Sequence, residues 1–388
     1  MNLLFTILME YQPNEGGVQR STYKLANHFA GSGFKVTVLC LTAGKNRVEN
    51  GIRIRYLPSE KEYSETENRK AIKIHLRENN YDIIINQMGY DDLLTKILDE
   101  YRQSHCKIIN AIRINPIHFL QHYREILRPK LHPYWLFNNP ITWYAVEKIH
   151  KYKQKRTLKG VFDHCDKVVL LSDSFKKEVR LFYPGVKDEQ LEAIPNPFLV
   201  PDGTFSNNNK ENVILFVGRI NIQQKRIDLL LEIWRSVKSK LPGWELWIVG
   251  DGPKREFLKS EIQKEDDQRV KYFGYQDPEP YYKKASILAF TSAYEGFGNV
   301  LIEGQSYGVV PVLFNSYAAA SEIIEDQKNG FLIKPFEVED YCQTIIELAN
   351  NKKMRLKMAE EALQNAKRYD INEIGKKWIS LFEQVRND

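Results

Sequence analysis

The fold of this 388-residue chain is decided by the stretch Ile287-Leu-Ala-Phe-Thr-Ser-Ala-Tyr-Glu-Gly-Phe-Gly-Asn-Val-Leu-Ile-Glu303. Its first four residues are apolar and predict a buried strand, and the apolar residues after Gly298 predict a helix that begins near Asn299. Two glycines before a helix let the backbone approach an anion, and the first turn of the helix offers unpaired N–H groups and a positive dipole. This turn therefore suits a diphosphate.

Two carboxylates flank the glycine turn. Glu303 lies eight positions after Glu295, which would be a little over two helical turns, so one carboxylate can lie in the loop and the other on the helix. A carboxylate accepts hydrogen bonds from adjacent hydroxyls, such as those of a sugar or a ribose. Glutamates at this spacing also occur on solvated helix faces. The residues around the motif decide between the two interpretations.

Short apolar runs and helix-length segments alternate on both sides of this stretch. In the second half, runs at 213–218, 245–249, 270–273 and 310–314 predict further strands, and 228–241 and 341–350 predict helices. In the first half, runs at 3–9, 35–41, 82–86, 107–112 and 167–171 predict strands, and 18–29 predicts a helix. Both halves are therefore predicted to be α/β domains with doubly wound, Rossmann-like parallel sheets.

The polar stretch 201–212, which follows Pro195-Asn-Pro197, interrupts the pattern between the two halves. A chain of 388 residues also exceeds one ordinary core. We expect an N-terminal domain of residues 1–195, a C-terminal domain of residues 196–370, and a last helix at 371–388. Open parallel sheets bind ligands beyond the carboxyl ends of their strands, so we expect a cleft between the two domains.

The composition is that of an ordinary globular protein, with 43% hydrophobic and 27% charged residues, which excludes a disordered or fibrous class. The four cysteines form no Cys-x-x-Cys pair, so neither a zinc site nor a disulfide framework is predicted. No Asp-x-Asp follows a strand to hold a metal. The apolar run at 3–9 lacks a basic leader, and no later run approaches the length that spans a bilayer. We expect a cytoplasmic location.

Positive charge is concentrated in one segment. Residues 113–160 contain ten basic and two acidic side chains, although the whole chain has a formal charge of only +6. Aromatic residues are interleaved with these basic ones, a combination that suits an anionic membrane surface or a lipid-linked acceptor. The same combination suits nucleic acid, or simply helices that pack through their aromatics and stay soluble through their lysines. A peripheral position on the cytoplasmic face of the membrane is one expectation.

With Gly308-Val-Val-Pro311 opening the next strand, the motif resembles that of the retaining GT-B glycosyltransferases with two glutamates eight apart (glycosyltransferase family 4). This family includes bacterial α-hexosyltransferases of lipopolysaccharide and capsule synthesis. The resemblance implies that Glu295 contacts the donor sugar and that Glu303 holds the ribose. It also implies that three amides face the donor phosphates, those of Gly298, Asn299 and Val300.

A second match to the family is Val217-Gly-Arg219, followed by Lys225. The resemblance gives Arg219 and Lys225 the role of neutralising the diphosphate, and fixed cations can stabilise a leaving diphosphate without a metal. The alternative is two surface charges after a strand. Arg226 stands where the family commonly has glycine, so Lys225 is presented differently or Arg226 shares its work.

The first domain provides weaker matches. Glu15-Gly-Gly17 resembles the loop that covers the donor phosphate, which makes Gly17 a candidate contact to donor or acceptor; the alternative is a tight turn. Many relatives place a histidine after the strand at 107–112, where this chain has Arg113, and the nearest histidine is His118. Both are acceptor-side candidates, Arg113 for a phosphate or carboxylate. Tyr275, which follows a strand of the second domain, is a candidate for stacking on the base.

The resemblance implies retaining transfer of a hexose or N-acetylhexosamine from a nucleoside-diphosphate sugar to a glycan or lipid-linked saccharide of a surface polysaccharide, without a metal cofactor. UDP is the favoured carrier, and a GDP-mannose-dependent mannosyltransferase is the alternative. A nucleotide-sugar epimerase or a glycogen-type phosphorylase could share the architecture. A protein of another class, which binds glycan or nucleic acid without catalysis, is disfavoured by the two glutamates and Arg219, and no nucleic-acid partner is expected.

Overall fold

The computed structural model describes residues 1–13, 16–115, 140–201 and 210–387. The chain forms two compact units, of which one is Met1–Pro197 with Ile371–Asp388 and the other is Phe198–Asp370. His118 and much of the polar stretch predicted as the boundary lie outside the described residues.

The first unit is built on one sheet. Its strands are β1 (Asn2–Ile7), β2 (Lys35–Ala43), β3 (Arg47–Glu49), β4 (Ile52–Leu57), β5 (Ile83–Asn86), β6 (Lys107–Ala111), β7 (Lys167–Leu170) and β8 (Leu191–Ala193). Its helices are α1 (Gly16–Gly31), α2 (Thr66–Glu78), α3 (Asp92–Tyr101), α4 (Pro140–Asp163), α5 (Ser174–Phe182) and the last helix (Ile371–Asn387). The strand order is β3-β4-β2-β1-β5-β6-β7-β8, and only the β3–β4 pair is antiparallel.

Burial on both faces explains the sequence of these strands. Ile83, Ile84 and Ile85 of β5 are all fully buried, as expected for a parallel strand between two layers of helices. The last helix covers one face beside α1, where the ring centroids of Phe382 and Phe29 are 5.3 Å apart. The end of the chain thus completes the core of the unit in which the chain begins.

The second unit is also built on one sheet. Its strands are β9 (Val213–Val217), β10 (Glu245–Val249), β11 (Val270–Gly274), β12 (Ile287–Phe290), β13 (Val310–Phe314) and β14 (Phe331–Ile333), in the order β11-β10-β9-β12-β13-β14 with parallel pairs throughout. Its helices are α6 (Ile227–Val237), α7 (Arg255–Glu265), α8 (Glu279–Lys284), α9 (Asn299–Gln305), α10 (Ala320–Ile323), α11 (Val338–Asn350) and α12 (Lys352–Ala366). The prediction of two doubly wound α/β domains is confirmed.

Two crossings join the units, after Pro197 and before Ile371. They lie side by side, because the amide of Phe198 donates to the carbonyl of Tyr369 at 2.8 Å and Phe198 forms a parallel bridge with Asp370. Within the described ranges, no helix combines the length and apolar character needed to span a bilayer.

Candidate active site

The strand order of the second unit creates a switch point between β9 and β12. From β9 the chain proceeds to β10 and β11 on one side, and it then returns to place β12 on the other side. The ladder between the two strands pairs only Ile287 with Ile214 and Leu288 with Leu215. The strands therefore part toward their carboxyl ends, which is where open α/β sheets bind ligands.

Lys225 and Glu295 meet at this point, one from the loop after β9 and the other from the loop after β12. Lys225 Nζ lies 2.5 Å from Glu295 Oε1, with 12% and 10% of the two side chains exposed. The ammonium also lies 5.2 Å from the ring centroid of Phe290. The structure thus brings two of the predicted site residues into one largely buried ion pair. Lys225, predicted to bind the diphosphate, binds the Glu295 carboxylate here.

The backbone of the loop that contains Lys225 is held by hydrogen bonds from residues that the sequence motifs do not include. Asn221 Oδ1 accepts hydrogen bonds from the amides of Gln224 at 3.2 Å and Lys225 at 2.7 Å. Thr291 Oγ1 donates to the Lys225 carbonyl at 2.8 Å, and the amide of Ala293 donates to the Gln224 carbonyl at 2.6 Å. The loops that follow the two strands are therefore fixed to each other beneath the ion pair.

Arg226 adopts a left-handed conformation, with φ of 50° and ψ of 50°. This region of backbone space is costly for residues other than glycine. The guanidinium binds the Asp228 carboxylate through Nε at 3.1 Å and Nη2 at 2.8 Å, and it stacks over Phe336 at 5.4 Å. Arg226 therefore points to Asp228 and does not join Lys225.

Arg219 follows β9 and is exposed. Within the residues that the structure describes, no carboxylate pairs with it. Its loop is fixed by the β10 turn, because a Cβ on Gly250 would lie 1.9 Å from the Gly218 carbonyl oxygen. The Ile220 amide also donates to the Asp251 carbonyl at 2.9 Å. The cation predicted to meet the diphosphate thus lies on a closely packed turn, and no carboxylate of the described residues pairs with it.

The glycine turn is built as the sequence predicts, and α9 begins at Asn299. Gly298 has φ of 98°, and a Cβ there would lie 2.4 Å from the hydroxyl of Tyr317. This tyrosine is buried, and its hydroxyl has no hydrogen-bond partner among the described residues. Burial raises the pKa of Tyr317 well above its usual value, and Glu295 adds to the effect. Sequence reasoning missed Tyr317, whose only signal is a polar residue just after a strand.

Glu303 is oriented by a buried tyrosine. Tyr282, only 1% exposed, donates its hydroxyl to Glu303 Oε2 at 3.1 Å. The Tyr282 ring stacks on Tyr307 with centroids 5.9 Å apart. Glu303, the second glutamate of the motif, lies on α9 and is thus oriented by a tyrosine of α8, independently of the Lys225–Glu295 pair.

The remaining donor-side candidates lie at strand and helix ends. Tyr275 follows β11 and is 75% exposed. Val300 lies in the first turn of α9. Gly17 lies in the first turn of α1 and is exposed, and the left-handed residue of that turn is Gly16, with φ of 58°. Neither Tyr275 nor Val300 hydrogen-bonds to Glu295 in the described part of the second unit.

Arg113, the described acceptor-side candidate, lies just after β6 in the first unit and is only 9% exposed. Its Nε donates to Gln87 Oε1 at 2.7 Å and its Nη1 to Asn196 Oδ1 at 3.5 Å. Burial lowers the pKa of Arg113 to about 9. The residue is thus part of the interior rather than of an open surface.

Two family models match the chain, one in each unit. The model described as glycosyl transferases group 1 matches residues 204–365. The model described as glycosyltransferase family 4 matches residues 15–103. The first match includes the whole switch point, and the second includes the glycine turn of α1.

The curated relatives that match the chain are also named as glycosyltransferases. An uncharacterized glycosyltransferase of Haemophilus influenzae is 30% identical over 220 residues, 56% of this chain and 61% of the relative. The amylovoran biosynthesis glycosyltransferase AmsD of Erwinia amylovora is 33% identical over 175 residues, 44% of this chain and 48% of the relative. The chain thus spans between about half and three fifths of the length of these two relatives. An undecaprenol-linked-glycan alpha-1,4-N-acetyl-D-galactosaminyltransferase of Campylobacter jejuni is 23% identical over 385 residues, 96% of this chain and 97% of the relative.

A solved structure gives the fold. The Anabaena protein HepE in complex with UDP and glucose matches with a TM-score of 0.74 at 16% identity, covering 99% of this chain and 100% of that chain. Its architecture is the GT-B fold of two Rossmann-like domains, which is the predicted fold class. With one glycosyltransferase model matched in each unit and this fold over its whole length, the chain has the GT-B fold and is similar in sequence to glycosyltransferases in both units.

Proposed function

We propose that this protein transfers a hexose or N-acetylhexosamine from a nucleoside-diphosphate sugar, with retention of configuration, to a glycan or lipid-linked saccharide of a bacterial surface polysaccharide. The observation that carries the proposal is the Lys225–Glu295 pair at the switch point of the second unit. Beside it are the glycine turn at Gly298 and the uncompensated cation of Arg219. These are the groups that a negatively charged donor with a polyhydroxylated sugar requires.

The Lys225–Glu295 ion pair rearranges when the donor binds in this proposal. In the structure, Lys225 Nζ donates a hydrogen bond to the Glu295 carboxylate. An arriving diphosphate competes for the ammonium, and the transfer of Lys225 to phosphate frees Glu295 to accept hydrogen bonds from the sugar hydroxyls. Donor binding and sugar orientation are then coupled through one side-chain exchange, so an unoccupied carboxylate is never left buried without a partner.

Transfer follows from the arrangement of charges in this proposal. The bond between the anomeric carbon and the diphosphate oxygen breaks, the acceptor oxygen bonds to the anomeric carbon on the same face, and the acceptor proton passes to a phosphate oxygen. Arg219 and Lys225 stabilise the charge that develops on the leaving diphosphate. Glu295 orients the sugar, and no resident metal takes part. Undiminished turnover in EDTA is expected, and full loss of turnover that returns with Mg²⁺ would contradict this part of the proposal.

UDP is the proposed carrier. Support comes from HepE, whose structure holds UDP and glucose. The test is a thermal-shift screen against UDP- and GDP-sugars, because a ligand that binds only the folded form raises the melting temperature. A response to GDP-mannose without a response to any UDP-sugar would replace the proposed donor with the alternative.

The proposed acceptor is a lipid-linked saccharide, as the name of the Campylobacter jejuni relative indicates for that enzyme. Helix α4 supports a surface that approaches a membrane, because it exposes Tyr144 and Tyr152 together with Lys148 and Lys155. Flotation with anionic and with neutral vesicles tests this. Binding to anionic vesicles that falls with salt and with Lys148→Glu/Lys155→Glu is expected, and equal recovery with neutral vesicles would refute the electrostatic part.

The same enzyme assay separates the rival activities. Donor turnover that requires a saccharide acceptor supports a transferase, turnover without an acceptor indicates an epimerase, and turnover that requires inorganic phosphate indicates a phosphorylase. Glu295→Gln is expected to abolish transfer with little change in UDP binding, and full activity in this variant would overturn the assignment. Glycan binding without any donor consumption would indicate the non-catalytic class.

A further inference from the structure

Among the described residues of the first unit, one buried arginine, Arg113, has no carboxylate partner. Arg113 contacts the side-chain carbonyls of Gln87 and Asn196, and its guanidinium carbon lies 5.6 Å from the ring centroid of Trp378. All three neighbours are neutral. A buried charge that is not compensated by an opposite charge lowers the stability of the folded protein. Packing alone therefore does not explain why an arginine is buried at this position.

The same region has too many hydrogen-bond donors. Four buried side-chain atoms there have no partner among the described residues: Arg113 Nη2, Gln87 Nε2, Trp378 Nε1 and Ser172 Oγ. The first three are N–H groups that can only donate, and the hydroxyl can donate as well. Among the described residues, these four donors therefore outnumber the acceptors that reach them. An unsatisfied buried donor costs about 1–3 kcal/mol, and one oxyanion could satisfy more than one of them.

These residues stand where the fold places ligands. Gln87, Arg113, Ser172 and Asn196 follow β5, β6, β7 and β8 in turn, so all four lie at the carboxyl edge of the parallel sheet. The last helix supplies Trp378 against the same edge. Four successive strand ends therefore direct polar groups to the edge at which α/β sheets bind ligands.

A second buried arginine shows that the deficit is specific. Arg355 in the second unit is 8% exposed, and its guanidinium carbon lies 5.0 Å from the ring centroid of Trp244. Its Nη1, however, donates to the carbonyls of Leu348 at 2.7 Å and Ala349 at 2.9 Å, at the end of α11. Among the described residues, Arg355 thus has no fully buried unsatisfied donor, whereas Arg113 keeps one at Nη2.

We propose that Arg113, Gln87 and Trp378 form a site for one anionic group of a substrate, either a carboxylate or a phosphate. This inference rests on the proposed transferase function and names a charge that its substrates carry. A uronic acid in the donor or the acceptor would supply the carboxylate, and a phosphorylated acceptor would supply the phosphate. The guanidinium recognises either group through paired N–H donors. Because Nη2 is covered, binding requires a side-chain movement at the sheet edge.

The test measures melting temperature and affinity in the full-length protein. Wild type, Arg113→Met and the matched control Arg355→Met are titrated with inorganic phosphate, with glucuronate and with neutral glucose. We expect one of the anions to raise the melting temperature of wild type and of Arg355→Met. We expect glucose to have no such effect, and Arg113→Met to bind that anion at least about tenfold more weakly, the scale of a lost charge-assisted pair.

The melting temperatures of Arg113→Met and Arg355→Met without added ligand give an independent readout. Both variants lose two hydrogen bonds, but Arg113→Met also removes the unsatisfied Nη2 donor, so Arg113→Met is expected to lower the melting temperature less than Arg355→Met does. Trp378→Phe, which removes only the indole N–H and part of the ring, is expected to weaken the anion response without abolishing it. It also serves as the test variant if Arg113→Met does not fold.

The response to phosphate against glucuronate distinguishes the two sources of the anion. Kinetics with UDP-glucuronic acid and UDP-glucose then assign a carboxylate to the donor or to the acceptor. No shift with either anion in wild type overturns the inference, as does an equal shift in Arg113→Met. UDP in the same titration keeps the two proposals separate, because a missing UDP response counts against the transferase while the anion result stands by itself.

Discussion

Breaking the Lys225–Glu295 pair should reveal a strong and non-additive coupling. At a separation of 2.5 Å, two unit charges attract by about 7 kcal/mol at an effective dielectric of ~20, and desolvation of both groups offsets much of this. Lys225→Met leaves the buried Glu295 carboxylate with one remaining side-chain hydrogen bond among the described residues, from Gln224 Nε2 at 3.5 Å. We therefore expect Lys225→Met to lower the free energy of unfolding by about 3 kcal/mol.

Glu295→Gln should lower it by a similar amount, because the ammonium then faces a neutral amide. The double variant removes both charges at once and should lose only about 1 kcal/mol, so the coupling energy is about 5 kcal/mol. The assay is a urea double-mutant cycle, with hydrogen exchange of β12 to localise the change to the second unit. Additive losses within about 0.5 kcal/mol would refute the buried-pair argument.

Activity provides the second half of the same experiment. Each single variant removes a charge that acts on the donor, so each should lower kcat/KM by about a thousandfold, the scale for removal of one preorganised electrostatic contact. The stable double variant should be as inactive as the singles. Recovery of turnover in the double variant would mean that the pair serves stability alone.

Three further outcomes follow from single positions. Arg226→Gly should be more stable than Arg226→Ala by about 1 kcal/mol in urea unfolding, because both lose the Asp228 contact and only glycine is relaxed at φ of 50°; equal stabilities would argue against backbone strain. Gly298→Ala should weaken UDP binding in calorimetry through collision with the Tyr317 hydroxyl, and adding Tyr317→Phe should restore part of it, whereas a double variant as weak as the single one would exclude that collision. Burial lowers the pKa of Lys210 to about 7. Between about pH 7 and the pKa of ~10.4 in the unfolded chain, the unfolded state therefore binds more protons than the folded state, and the free energy of unfolding should rise with pH. The rise should be smaller in Lys210→Met, and a pH profile equal to that of wild type would contradict the shift.

The sequence predicted the sheets well wherever strands are continuous apolar runs. β5, β9, β10, β12 and β13 were expected within a residue of their observed bounds, since burial on both faces makes every position apolar. β4 was not predicted, because Ile and Arg alternate in it and its neighbour β3 is a short antiparallel strand at the sheet edge. β8 and β14 have only three residues each, too few for a pattern.

The candidate site divides in the same way. Residues within the motif, such as Glu295 and Gly298, were found because local spacing and chemistry mark them. The contact between Lys225 and Glu295 joins residues far apart in the chain, and only the strand order brings them together. Tyr317 and Asn221 act through their position at strand ends, and no local pattern distinguishes them from other polar loop residues. The contact between Arg113 and Trp378 likewise joins a strand end to a helix at the other end of the chain.

The return of the last helix to the first unit has a consequence for dissecting the gene. A fragment ending at Pro197 would lack Trp378 and Phe382, both fully buried in the core of that unit, and would present an apolar face to solvent. Because the two crossings are hydrogen-bonded neighbours at Phe198 and Asp370, a short linker from residue 197 to residue 371 would retain the last helix and leave the core of the first unit whole. Conventional truncation cannot do this, so separate production of the first unit calls for a fused last helix.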